Sequence, residues 1–154
     1  MTVNVQKFSS LSALLRAGLG DALSPKGDTF LDLMTDDISF EFPFPLPDGI
    51  RELRGKEALA AYLPKVGELF TIETLVLERT IMSADKKNAI LEFTSQAYAN
   101  RSNLRYDQTY VSVVDIREGL VSRYKDYWNP LIVLSATGGA DAANSVLQNN
   151  ARNA

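Results

Sequence analysis

LRYDQTYVSVVDIREGLVSRYKDYWN, residues 104–129, decides the fold. Two runs rich in Tyr, Val and Ile flank Arg117-Glu118-Gly119, a Gly-containing turn that folds them side by side as an antiparallel hairpin. The spacing predicts one strand over 104–117 and a last strand over 120–129, stopped by Pro130. Strands that face only a dry core carry apolar residues on their inner face, and these do not. Tyr106, Gln108, Tyr110 and Ser112 share one face of the first strand; Tyr124, Asp126 and Trp128 share one face of the second. Aromatic rings with hydroxyl or amide handles beside one carboxylate suit the wall of a small-molecule pocket. The same rows also suit a solvated sheet face or an oligomer interface, where Tyr and Trp are enriched.

Working outward, residues 71–82 are rich in Ile, Val, Leu and Thr, residues 84–88 form a polar turn, and AILEFTSQAYA at 89–99 is a further strand. In that strand Glu92, Thr94, Gln96 and Tyr98 align on one polar face. Before this meander stand three predicted helices. Phe8, Leu11, Leu14, Leu15 and Leu19 lie on one helical face. A short second helix starts near Pro25 and carries Phe30, Leu31, Leu33 and Met34. The third opens at Gly55 and carries Ala58, Leu59, Tyr62, Leu63, Val66, Leu69 and Phe70, with a kink or break near Pro64. Asp36-Asp37 reads as a helix-ending turn before a strand in which Ile38, Phe40 and Phe42 alternate with polar residues, and the prolines at 43, 45 and 47 end that strand. Helices first and a meander after them indicate α+β architecture, because the last four strands leave no room for crossover helices. One domain spans 1–135. Residues 136–154 read as a polar, loosely held tail.

Composition narrows the chemistry. Sixteen Lys and Arg against nineteen Asp and Glu leave a net charge of −3, which disfavours nucleic acid as a partner. The chain has no Cys and no His, which removes thiol chemistry, His-based catalytic pairs and the usual zinc or iron sites. Acid–base work falls to Asp, Glu, Tyr, Lys or Arg, with no metal and no cofactor expected. No run of residues reaches the roughly 20 apolar positions that a membrane span needs. The opening MTVNVQKFSSLSALLRAG does not read as a signal peptide, so the expected compartment is the cytoplasm.

Three ordered matches resemble the ketosteroid-isomerase-like, or nuclear-transport-factor-like, superfamily and within it the SnoaL-like polyketide cyclases. They are Asp36-Asp37-Ile38-Ser39-Phe40-Glu41-Phe42-Pro43, Leu53-Arg54-Gly55-Lys56-Glu57-Ala58-Leu59, and the final hairpin from Tyr110 to Asn129. Arg123-Tyr124-Lys125-Asp126-Tyr127-Trp128-Asn129 is also similar to the phenazine biosynthesis A/B proteins. The resemblance implies a cystatin-like cone of curved sheet, closed by helices around a cavity, and a homodimer. It places those proteins' catalytic acidic residue at Asp126 and a third-helix His at Tyr62. It also shows departures: the isomerase base position holds Phe42, and a His-free chain cannot build the His-Asp pair of the superfamily's dehydratases.

The candidate catalytic residues are therefore Asp126, as acid–base, and Tyr62. The candidate substrate-binding residues are Phe42, Tyr98, Tyr106, Gln108, Tyr110, Tyr124 and Trp128. Against a catalytic Asp126 stands a carboxylate paired with Arg123 or Lys125 at the sheet edge; against each Tyr stands ordinary packing with its hydroxyl satisfied by a neighbour. The leading expectation is cofactor-independent proton transfer (isomerisation, cyclisation or a lyase step) on a small hydrophobic or aromatic molecule. The alternative is a non-catalytic ligand-binding or protein-interaction module on the same scaffold.

Overall fold

The computed structural model describes residues 6–148, and their architecture is α+β. Among the described residues seven strands form a single sheet. They are β1 (Gln6–Phe8), β2 (Met34–Glu41), β3 (Glu52–Arg54), β4 (Phe70–Met82), β5 (Asn88–Ala99), β6 (Gln108–Arg117) and β7 (Leu120–Tyr127). Their order across the sheet is β1-β4-β5-β6-β7-β2-β3, open at both edges. Every neighbouring pair is antiparallel except β2 with β7, which is parallel. Register shifts within β4–β5, β6–β7 and β2–β7 mark bulges, the devices that curve a sheet into a cone.

The long meander follows the alternation in the sequence. The turn joining β6 to β7 carries Glu118 and Gly119 at φ 52° and 80°, the left-handed pair of a tight hairpin. Gly119 also lies against another segment: its carbonyl accepts from Ser24 N at 2.8 Å, and a Cβ there would meet Ser24 N at 3.0 Å.

Helix α1 (Leu11–Leu19) is capped by Ser10, whose Oγ accepts from Ala13 N at 3.2 Å, and it buries Leu14, Leu15 and Leu19. Helix α2 (Lys56–Leu69) buries Leu59, Tyr62 and Leu69 and runs through Pro64 without interruption. Pro64 sits on the exposed side of α2, where water can satisfy the carbonyl freed by its missing N–H.

Several expectations are corrected. The second predicted helix is absent: residues 20–33 hold only two 3₁₀ turns, Gly20–Ala22 and Leu31–Leu33. Side chains hold that stretch in turns. Asp32 accepts from the backbone N–H groups of Asp28 and Thr29, each at 3.1 Å, and the Arg16 guanidinium donates to the carbonyls of Ser24, Lys26 and Gly27. Asp36-Asp37 belongs to β2 rather than to a turn. The strand predicted from 104 starts at Gln108, although Tyr106 N still donates to Ala97 O at 2.9 Å. The short edge strands β1 and β3 carry too few residues for a visible alternation.

Pro130 ends β7's extension by opening helix α3 (Pro130–Thr137), with Asn129 as its cap. The segment read as a loosely held tail folds, as far as it is described, into helix α4 (Ala140–Leu147), which buries Ala143, Val146 and Leu147. Asn144 Nδ2 donates to Pro47 O at 2.9 Å and Gln148 Nε2 to Asp48 O at 2.7 Å, tying α4 to the proline-rich loop. Residues 149–154 of that predicted tail lie outside the described residues.

Candidate active site

Register fixes which side chains converge. Phe93 pairs with Tyr110, Ser112 with Asp126 and Phe40 with Tyr124, so these residues share the concave face of the sheet. That face and the helices above it enclose a cavity of about 120 Å³. Its sheet wall includes Phe40, Phe93, Tyr110, Tyr124 and Asp126, with Phe42 and Trp128 just past the strand ends. Helix α2 adds Tyr62, Leu63 and Val66, while α1 and α4 contribute Leu11 and Leu147.

Rings pack edge to face and in stacks around the cavity. Phe40 stacks on Tyr124 with centroids 4.6 Å apart, Phe93 on Tyr110 at 4.9 Å, and Phe70 on Tyr106 at 3.7 Å. Phe42 bridges Tyr62 at 5.5 Å and Trp128 at 6.0 Å. The indole N–H of Trp128 is committed elsewhere, donating to Phe44 O at 2.9 Å, so the ring serves as wall.

Among the described residues Asp126 is the one charged group in the lining. Its Oδ1 is sealed from solvent and accepts no hydrogen bond. The predicted partners point the other way: Arg123 donates to Glu41 at 2.8 and 3.2 Å on the outer face, and Lys125 lies opposite Glu41 in the β2–β7 ladder. Burial alone pushes the Asp126 carboxyl up from 3.8 to about 7. Near neutral pH it therefore exists both with and without its proton.

The tyrosine hydroxyls shift in the same direction. Burial pushes Tyr106 up to about 12, despite a hydrogen bond from Gln108. Tyr62, Tyr110 and Tyr124 are raised above the ordinary phenol value, first by burial and also by the negative charge of Asp126. All four stay protonated across the physiological range and can donate. Tyr124 is already engaged, with its hydroxyl 2.5 Å from Ser112 Oγ.

Asp126, Tyr62, Phe42, Tyr106, Tyr110, Tyr124 and Trp128 thus come together at the cavity. Gln108 and Tyr98 do not line it. The Gln108 carboxamide bonds mostly to the backbone: Oε1 accepts from Asn129 N at 3.0 Å and Thr109 N at 3.1 Å, and Nε2 donates to Asn129 O at 3.0 Å and to the Tyr106 hydroxyl at 3.4 Å. Tyr98 pairs with Thr71 and Arg105 and lies on the opposite face of β5 from Phe93, because odd-numbered β5 residues face the even-numbered β6 row. Sequence reasoning missed Phe93 and Phe40 as wall residues. The signal for Phe93 lay in its parity, readable only once the β5–β6 register is known.

Comparison with known proteins places this chain in a family. The SnoaL-like domain matches residues 21–124. The chain belongs to the SnoaL-like family. Uncharacterized protein YesE of Bacillus subtilis (strain 168) is 29% identical over 136 residues, 88% of this chain and 92% of YesE. An uncharacterized PhzA/B-like protein of Pseudomonas aeruginosa is 32% identical over 117 residues, 76% of this chain and 82% of that protein. The crystal structure of a candidate isomerase from Bacillus subtilis matches with a TM-score of 0.68 and 28% identity, over 82% of this chain and 85% of the other. Within this SnoaL-like frame, no helix among the described residues is long and apolar enough to cross a membrane.

Proposed function

We propose that this SnoaL-like protein is a cofactor-independent isomerase, cyclase or lyase that binds a small hydrophobic or aromatic molecule in the cavity and transfers a proton through Asp126. One observation carries the reading: among the described residues the cavity's one carboxylate stands among aromatic rings with its Oδ1 sealed from solvent and no ion pair, and burial pushes it up to about 7. A structural salt bridge at a sheet edge has neither property. The candidate isomerase among the similar structures lends the reaction class.

In the mechanism, ionised Asp126 takes a proton from a carbon or oxygen of the bound substrate. A tyrosine hydroxyl from Tyr62 or Tyr106 donates a hydrogen bond to the oxygen on which negative charge develops. Asp126, now neutral, returns the proton at a second position. A base of pKa near the working pH suits both halves of such a transfer, and the apolar walls strengthen the tyrosine hydrogen bonds by excluding water.

Asp126→Asn tests this. The amide keeps the shape but cannot carry the proton, so turnover of a converted substrate falls by about 10²–10⁴-fold while its binding is retained. Undiminished turnover in the variant contradicts a catalytic Asp126, and a ligand that binds but is never turned over favours the ligand-binding module. The homodimer belongs to the same proposal and is checked by sedimentation equilibrium, where a monomer mass refutes it.

A further inference from the structure

We infer that the substrate is an uncharged molecule of a single ring bearing a carbonyl or hydroxyl oxygen, with Leu147 on α4 setting the limit on its length. The inference rests on the proposed reading of the cavity as the substrate site.

Size gives the first limit. The cavity measures about 120 Å³. An apolar cavity of about 150 Å³ in another protein accepts benzene, and sites for drug-sized ligands run to about 300–1,000 Å³. Roughly six to eight non-hydrogen atoms fit here on that scale; fused ring systems, with nine or more, do not. Leu147 lines both this cavity and the small hollow beside the 46–50 loop, so it stands in the wall between them. Leu147 is held there because Asn144 and Gln148, flanking it on α4, bond to the carbonyls of Pro47 and Asp48.

Charge gives the second. Among the described residues the lining holds no Lys or Arg, and the chain has no His. An anionic substrate would find no counter-charge and would face Asp126 in a water-poor space. A cationic one would pair with Asp126, hold it ionised and remove it from proton transfer. An uncharged ring leaves Asp126 free to gain and lose its proton. Tyr62, Tyr106 and Tyr110 line the same space, and a hydroxyl of one of them would be the donor to one oxygen of such a ring.

Calorimetric titration of the full chain with a small probe set tests this without reference to turnover, so its failure is separable from failure of the catalytic reading. Phenol and cyclohexenone are the uncharged single-ring probes; benzoate and benzylammonium carry the two charges, and naphthol and anthrone carry extra rings. At pH 8 the uncharged single rings bind, and benzoate binds about tenfold or more weakly than phenol. Naphthol and anthrone bind weakly or not at all. In Leu147→Ala naphthol gains about tenfold over wild type. Val66→Ala, which opens the wall at α2, leaves the Leu147 end in place and serves if the first variant does not fold: it must admit naphthol less well than phenol. Benzoate binding as tightly as phenol, benzylammonium binding without lowering the Asp126 midpoint, anthrone entering the wild-type chain, or failure of every uncharged ring to bind overturns the inference. Naphthol indifferent to Leu147→Ala overturns the part given to Leu147.

Discussion

With its carboxyl raised from 3.8 to about 7 by burial, Asp126 keeps its proton in the folded chain over a range where the unfolded chain has released it. Between about pH 4 and pH 7 the unfolded state therefore binds fewer protons, and this group's contribution to stability falls as pH rises, flattening above about 7. The shift corresponds to about 4 kcal/mol over that interval. Asp126→Asn abolishes the slope. Urea unfolding of both proteins from pH 4 to pH 9 is expected to show the variant gaining on wild type as pH rises, and a constant difference would contradict the burial account. Turnover moves the other way: if Asp126 acts first as a base, activity rises as pH passes through about 7. Tyr124 offers a second check. Its hydroxyl is the partner of fully buried Ser112 Oγ, so Tyr124→Phe leaves that hydroxyl unpaired and costs about 1–3 kcal/mol by urea unfolding.

At the scale of elements, the β6–β7 hairpin depends on Gln108 as a clamp. Its carboxamide joins the start of β6 to Asn129 beyond the end of β7, beside the cavity-lining Trp128. Gln108→Leu removes those bonds and is expected to lower stability by about 1–3 kcal/mol and shift the emission of Trp128. Unchanged stability would show the clamp to be dispensable. Gln108 was readable as a polar residue on an aromatic face, but not as a clamp, because its partners lie 21 positions away at Asn129. The long strands were legible because period-2 alternation over eight or more residues outweighs local noise. The second helix was misread for a local reason. Its apolar spacing at Phe30, Leu31 and Leu33 imitates a helix, while Asp32 and Thr29 satisfy the backbone in a turn.

For the whole molecule, the order of helices and meander gave the α+β cone, and motif resemblance gave the SnoaL-like family, which the domain match bears out. Which β5 face lines the cavity was not legible, since alternation fixes two faces and only tertiary pairing chooses between them; the polar face that holds Tyr98 turns out to be the one opposite Phe93. The role of α4 was hidden by small, polar residues whose few apolar members, Val146 and Leu147, meet a cavity built from distant strands. A ligand that fills this cavity binds the folded chain only. At a concentration of 100 times Kd, cyclohexenone is expected to add about 2.7 kcal/mol of stability, with a rise in Tm of several degrees. The sole tryptophan, Trp128, stands in the cavity wall and reports the same event by fluorescence.

The most direct measurement is a titration of the Asp126 carboxyl carbon by ¹³C NMR, assigned by its loss in Asp126→Asn. A midpoint near 7 is the result expected of a lone carboxylate buried among aromatic rings. A midpoint near 4, the value of a hydrated or ion-paired aspartate, would contradict it.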